Sequence, residues 1–316
     1  MMPFANLFAV MILAAQTART MQANPVARVV GGHPADEGAW PFIVSLELGR
    51  GNNVCGGSLI APDLVLTAAH CTYGHAASAF QVVAGTTDLT NGGQRVGVRS
   101  ITHCPDFNLE TLANDCALMK LSPAFKLGPN LQVAKLPDAT TCGQPLQAGH
   151  KVLVAGWGRT GSSPGGTGEF PGAPGDDYLS GQLDGLSVVP GRMFRRQGSP
   201  TKLQEVMMEV VDIGECQKSL GGAVSQQQIC ALGQPGDSCK GDSGGPLVSA
   251  STKVLVGIVS WGAAHMQCGQ APGVYTAVCS YLSWITGQMR GTVGGAGTVG
   301  PVSGPCDDRN TIIGSR

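Results

Sequence analysis

Between Val29 and about Val256 the apolar residues fall in short runs broken by turn residues. The runs FIVSLEL (42–48), SLIAPDLVLTA (58–68), FQVVAG (80–85), CALMKL (116–121), KVLVAGWG (151–158), LQEVMMEVV (203–211) and KVLVGIVSWG (253–262) read as strands or strand pairs. Many short strands at this spacing predict an all-β sandwich or barrels. One late segment breaks the pattern. Val278, Tyr281, Leu282 and Ile285 fall at i, i+3, i+4 and i+7, which predicts a helix over about 278–287 that Gly287 ends. From 290 to 316 the chain is Gly-rich and too polar to fold alone, so a mobile tail is expected. The Gly/Pro-rich stretch 160–200 is too long for an ordinary connection and reads as a surface insertion. No internal repeat is visible.

Composition narrows the class. Of 316 residues, 47 are Gly and 20 are Pro, while charged residues make up 13%. That balance suits strands and tight turns and excludes a helical bundle. Lys plus Arg number 20 and Asp plus Glu 21, a formal net charge of -1, which argues against nucleic acid or an anionic membrane as partner. Eleven cysteines point to an oxidising compartment, and their odd number leaves at least one unpaired in a monomer. The apolar run LFAVMILAA (7–15), followed by small residues, is of signal-peptide length and too short to span a bilayer. A leader over about 1–18 and secretion are expected, with no membrane span.

The stretch DSCKGDSGGPLV (237–248) concentrates polar chemistry ahead of an apolar run. Ser243 needs a nearby base to become a nucleophile. Residues 241–245 satisfy G-x-S-x-G, the nucleophile elbow of α/β-hydrolases, but that turn needs a strand before and a helix after. Here QPGDSCK precedes and GGPLV follows, so the base must be sought upstream. His70 ends the apolar run LTAAHC, and Asp115 opens a β-run, where a charge is costly unless paired. Singly, His70 reads as a satisfied core histidine and Asp115 as a turn cap. Together with Ser243 they stand in the order His, Asp, Ser, one of the known arrangements of a catalytic triad.

Eight ordered motifs then carry a resemblance: RVVGG (28–32), CGGSLI (55–60), LTAAHC (66–71), NDCALMKL (114–121), GWG (156–158), GDSCKGDSGGPL (236–247), SWG (260–262) and PGVYTAV (272–278). Over about Val29 to Met289 the chain resembles the trypsin-like, chymotrypsin-fold serine endopeptidases. The resemblance implies two packed six-stranded Greek-key β-barrels and a C-terminal helix. The protease domain would span 29–289, with the first barrel at about 29–135 and the second at about 136–276. It implies Ser243 as nucleophile, His70 as general base then acid, and Asp115 as the group that orients His70. Backbone N–H groups of Gly241 and Ser243 would form the oxyanion hole, and Ser260 would hydrogen-bond Asp115. Asp237 would floor the primary pocket and favour Arg or Lys, with Ser238, Ser260, Trp261, Gly262 and Gly273 around it. A pro-segment over 19–28 would be cut between Arg28 and Val29, and the new Val29 ammonium would meet Asp242.

The resemblance also implies the disulfides Cys55–Cys71, Cys142–Cys279, Cys216–Cys230 and Cys239–Cys268. Ser249 stands where the family has a further cysteine. Cys104, Cys116 and Cys306 remain. The family's strand arrangement makes Cys104 and Cys116 neighbours, either bridged or reduced and packed together, with Cys306 unpaired. The loop GTTDLTNGGQ (85–94) lacks the paired glutamates that hold calcium in trypsins, and Pro272 argues against a sodium site, so no metal or other cofactor is expected. SWGAAHMQCGQAPGVY (260–275) departs from trypsin in spacing on both sides of Cys268. The expected partners are protein substrates with Arg or Lys at the cleaved bond, and protein protease inhibitors; the expected state is a monomer. The alternative is a catalytically silent binding or adaptor protein on the same fold. The intact triad, oxyanion glycines and activation site favour the enzyme.

Overall fold

The run QEVMMEVV shows how the strands arise. Gln204, Val206, Met208 and Val210 point inward, while Met207 is 53% exposed, the period-two alternation of a strand with one buried face. A computed structural model describes residues 32–49, 51–144, 146–158, 200–221, 224–233, 242–263 and 270–291. The expected leader, pro-segment and tail from 292 onward, and nearly all of the 160–200 stretch, lie outside these residues.

Thirteen strands are present among them: β1 His33–Pro34, β2 Ile43–Leu48, β3 Asn53–Ala61, β4 Leu64–Thr67, β5 Phe80–Ala84, β6 Gln94–His103, β7 Ala117–Ser122, β8 Lys151–Gly156, β9 Gln204–Val211, β10 Gln228–Leu232, β11 Pro246–Ser249, β12 Leu255–Trp261 and β13 Gly273–Ala277. Strands β2-β3-β4-β7-β6-β5 close into one antiparallel barrel. Strands β9-β10-β13-β12-β11-β8 form the second, closed by the β8–β9 ladder, with β1 added along β9. Closure leaves neither ring an unpaired edge. The architecture is all-β, two six-stranded barrels with a C-terminal helix.

The second barrel fills with Val152, Val154, Val206, Met208, Leu247 and Tyr275. The first barrel's core, around Leu46, Leu59, Leu66, Phe80 and Met119, continues through Ala155, Trp157, Leu255 and Ile258 of the second. The two barrels therefore share apolar packing.

Three α-helices accompany them among the described residues: α1 Ala139–Cys142, α2 Ile213–Ser219 and α3 Val278–Gly291. Asp212 caps α2, accepting the N–H groups of Gly214 and Glu215 at 2.8 and 3.1 Å. Helix α3 corrects the expectation that Gly287 ends it, and it takes Arg290 and Gly291 from the expected tail. Gly287 lies on an open face, with nothing within 4 Å of a Cβ built there. Met289, one half-turn on, packs against the core and carries the helix past the glycine. No described helix is long and apolar enough to cross a membrane.

Disulfides join Cys55 to Cys71, Cys104 to Cys116, Cys142 to Cys279 and Cys216 to Cys230. Cys239, Cys268 and Cys306 lie outside the described residues. Ser249 is buried, and its hydroxyl pairs with His150 Nε2 at 3.0 Å.

Candidate active site

Strand β4 runs into buried Ala68 and Ala69, and the chain tightens into a single 3-10 turn over Ala69–Cys71 that carries His70. Asp115 lies near the end of the loop between β6 and β7. The two side chains meet in the interior, 7% and 0% exposed. His70 Nδ1 lies 2.7 Å from Asp115 Oδ2, and the His70 backbone N–H donates to Asp115 Oδ1 at 2.9 Å. Ser260 Oγ donates to Asp115 Oδ2 at 2.5 Å. Thr276 Oγ1 donates to the Asp115 carbonyl at 2.9 Å. A carboxylate only accepts, so Nδ1 carries the ring proton and Nε2 is left to accept one. Cys71 Sγ lies 3.7 Å from Nε2, but as half of a disulfide it has no proton to give. The grouping of His70 with Cys55 and Cys71 is no metal centre, since both sulfurs are spent on each other.

These contacts set the charges. Burial alone would push His70 down; the Asp115 charge and its hydrogen bond more than offset that and hold it above the ordinary histidine value. For Asp115 burial acts upward, but His70, the Ser260 hydroxyl and the His70 N–H hold it below the ordinary carboxylate value. The pair is built as a buried ionised carboxylate holding a basic imidazole.

Ser243 stands in the turn before β11. Its carbonyl accepts the Gly56 N–H at 2.8 Å, so the backbone is tied to β3 of the first barrel. The Gly244 N–H donates to the Val259 carbonyl of β12 at 2.8 Å. Gly244 is required here twice over: its φ is 77°, and a Cβ would lie 2.2 Å from Thr67 Oγ1. Gly56 adjoins Cys55, whose disulfide partner Cys71 adjoins His70. One hydrogen bond and one covalent bond thus link the Ser243 backbone to the histidine turn.

Asp242 is a buried carboxylate, 1% exposed, that accepts the Gly158 N–H at 2.8 Å. A Cβ on Gly156 would lie 2.0 Å from its Oδ1. The first glycine of GWG is there to admit this side chain. Ser260 is buried at the end of β12, Trp261 follows it half-buried, Gly262 is exposed, and Gly273 opens β13 buried. Asp237, Ser238, Gly241, Arg28 and Val29 lie outside the described residues.

Sequence reasoning missed Thr276, although it lies within the motif PGVYTAV. A threonine hydroxyl on a buried strand position needs a partner, and that requirement is its only signal. It also missed Tyr281, whose hydroxyl donates to Asn114 Oδ1 at 2.7 Å; the helical pattern assigns it to the apolar face alone.

Comparison with known proteins agrees with this geometry. The family model described as Trypsin matches residues 29–168 and 185–285, and its gap falls inside the 160–200 stretch. The protein named Trypsin Blo t 3, from Blomia tropicalis, is 35% identical over 269 residues, covering 82% of this chain and 85% of that relative. Trypsin theta of Drosophila melanogaster is 33% identical over 261 residues, covering 82% and 85%. Among solved structures, neuropsin, a serine protease expressed in the limbic system of mouse brain, superposes with a TM-score of 0.64 at 26% identity, covering 82% of this chain and 98% of that one. A barrel pair with a buried His–Asp couple at their junction, matched at this identity over this length, belongs to the trypsin family: the chain is a trypsin-like serine endopeptidase.

Proposed function

We propose that this endopeptidase is secreted as a zymogen and, once cut after Arg28, cleaves peptide bonds after Arg and Lys through Ser243, His70 and Asp115. The observation that carries the catalytic part is the buried His70–Asp115–Ser260 chain, which leaves Nε2 free to take a proton. Ser243 Oγ adds to the scissile carbonyl carbon while its proton passes to His70 Nε2. The carbonyl electrons move to oxygen, where the N–H groups of Gly241 and Ser243 receive the oxyanion. His70 then returns the proton to the leaving amine, the C–N bond breaks, and an acyl-Ser243 ester remains. Water enters by the same steps in reverse order and releases the acid. Asp115 stays ionised throughout and stabilises the imidazolium.

The preference for Arg and Lys rests on Asp237, which the trypsin resemblance assigns to the floor of the primary pocket, where a desolvated carboxylate needs a cationic partner. Activation rests on Asp242: the Val29 ammonium freed by cleavage pairs with this buried carboxylate and orders the adjoining loop. The disulfides support secretion, since such bonds persist in oxidising compartments. Protein inhibitors that present Arg or Lys are the expected regulators of a monomeric enzyme.

The test is kinetic. Active material should begin Val-Val-Gly-Gly, react with an organophosphonate at Ser243, and hydrolyse Arg and Lys amides. Asp237→Ser should lower kcat/KM on Arg substrates by orders of magnitude. A wild-type preference for Phe or Leu would overturn the pocket assignment, and full activity of an uncleaved Arg28→Gln protein would overturn the zymogen.

A further inference from the structure

Asp115 sits at the apex of a three-residue turn, in which the Cys116 N–H donates back to the Asn114 carbonyl at 2.9 Å. The direction of its carboxylate therefore depends on the torsions of its two neighbours. Asn114 takes the left-handed region, with φ 55°, as do Leu112 and Asp106 in the same loop. Such torsions persist in a non-glycine residue only where the surroundings over-determine them.

Both neighbours of Asp115 are held by their side chains. Asn114 Nδ2 donates to the Asp106 carbonyl at 2.9 Å, and its Oδ1 accepts the Tyr281 hydroxyl of α3 at 2.7 Å. Cys116 is fully buried and bonded to Cys104, and the Cys104 N–H donates to the Cys116 carbonyl at 2.8 Å. Helix α3 is in turn anchored two residues away by Cys142–Cys279. The turn is thus gripped from the first barrel on one side and from the C-terminal helix on the other.

We propose that the Cys104–Cys116 bond and the Tyr281–Asn114 hydrogen bond are positioning devices for Asp115, fixing its turn from both sides so that the carboxylate stays on His70. The proposal rests on Asp115 being the acid of the triad. Loss of either clamp lets Asn114 relax out of the left-handed region, which rotates the Asp115 carboxylate away from Nδ1. Substrate binding elsewhere is untouched, so kcat falls while KM holds. The imidazole also loses part of its carboxylate, so it takes up a proton less readily.

The experiment compares Cys104→Ala/Cys116→Ala and Tyr281→Phe with the parent enzyme on one Arg peptide amide. It reads kcat, KM, the pH of the acid limb of kcat/KM, and the proton resonance of His70 Nδ1. The groups facing Asp115 are His70 and, from β6, His103, which feels its charge; Ser260, Thr276 and Tyr281 are neutral. The assigned Nδ1 resonance separates His70 from His103. Each variant should lose about tenfold or more in kcat, keep its KM, move the acid limb to lower pH and shift the resonance upfield. Parent-like kcat, acid limb and resonance in the folded variants would overturn the proposal. If the double alanine variant does not fold, Tyr281→Phe, which removes one hydroxyl from a half-buried ring, decides alone. An Asp115→Asn enzyme that kept full activity would overturn the triad reading itself, so the two failures are told apart.

Discussion

At the scale of single residues, the site is a problem in placing two charges where water is scarce. Asp115 has no exposed surface, and an unpaired carboxylate there would be expensive. Three donors, the His70 ring, the His70 N–H and the Ser260 hydroxyl, make it tolerable, and against the burial that lowers His70 the carboxylate's charge and its hydrogen bond to the ring raise it. The sign of the pH dependence follows. With His70 as the proposed base, catalysis needs it neutral, so kcat/KM should fall as pH drops through a value above the ordinary histidine value. Asp115→Asn should move that acid limb to lower pH, because the raising charge is gone, and cut kcat by about 10⁴-fold through the wrong tautomer. A pH–rate profile of the two enzymes checks both. Stability follows the same linkage with opposite windows. The part contributed by His70 fades as pH rises through its raised value, and the part contributed by Asp115 fades as pH falls through its lowered one. Gly156 is the steric counterpart. Gly156→Ala would drive a methyl into Asp242 Oδ1, so it should cost about 1–3 kcal/mol in thermal or urea unfolding. Unchanged stability would mean that Asp242 does not fill that space.

At the scale of elements, legibility tracked burial. Runs buried on both faces, such as Leu64–Thr67, stand out in the sequence as nearly unbroken apolar stretches. Strand β6 escaped because only Val96 and Val98 of its ten residues are buried, with Arg95 before and Arg99 after them. Helix α2 is short, and its signal is a capping residue rather than a stripe: Asp212, then Glu215 three residues on. The His70, Asp115 and Ser260 positions were legible because their motifs are dense and ordered. Thr276 and Tyr281 were not, because a single hydroxyl on an otherwise apolar element leaves no pattern. Helix α3 shows how packing overrides a local breaker. Since Gly287 is interior to the helix and meets nothing within 4 Å, Gly287→Ala should stabilise the protein by about 0.5–1 kcal/mol and leave kcat/KM unchanged. A helix that ended at Gly287 in a left-handed cap would be destabilised by the same change, so a melting curve separates the two.

At the scale of the whole molecule, the groups proposed as catalytic belong to neither barrel alone. His70 and Asp115 come from the first, Ser243 from the second, and Ser260 and Thr276 reach from the second to hold Asp115. The seam between them is narrow at one place. There the Ser243 carbonyl meets the Gly56 N–H, Thr67 Oγ1 donates to the Gly56 carbonyl at 2.8 Å, and Gly244 fits between with φ 77°. A Cβ on Gly244 would meet Thr67 Oγ1 at 2.2 Å and the Gly56 carbonyl oxygen at 2.6 Å. The second of these is backbone and cannot swing aside. Gly244→Ala must therefore push the Ser243 turn away from the first barrel or strain its own torsions, and either shifts the proposed nucleophile relative to His70. Each barrel keeps its own closed ladder, so β-sheet content by circular dichroism should match the parent. Activity should fall by about a hundredfold or more, since reacting groups tolerate displacements of well under 1 Å. Labelling by an organophosphonate should slow in parallel, because that reagent reads the same Ser243–His70 geometry without a peptide in the pocket. Parent-like labelling with lost peptidase activity would place the damage in substrate binding instead and would show that the seam does not set the catalytic alignment.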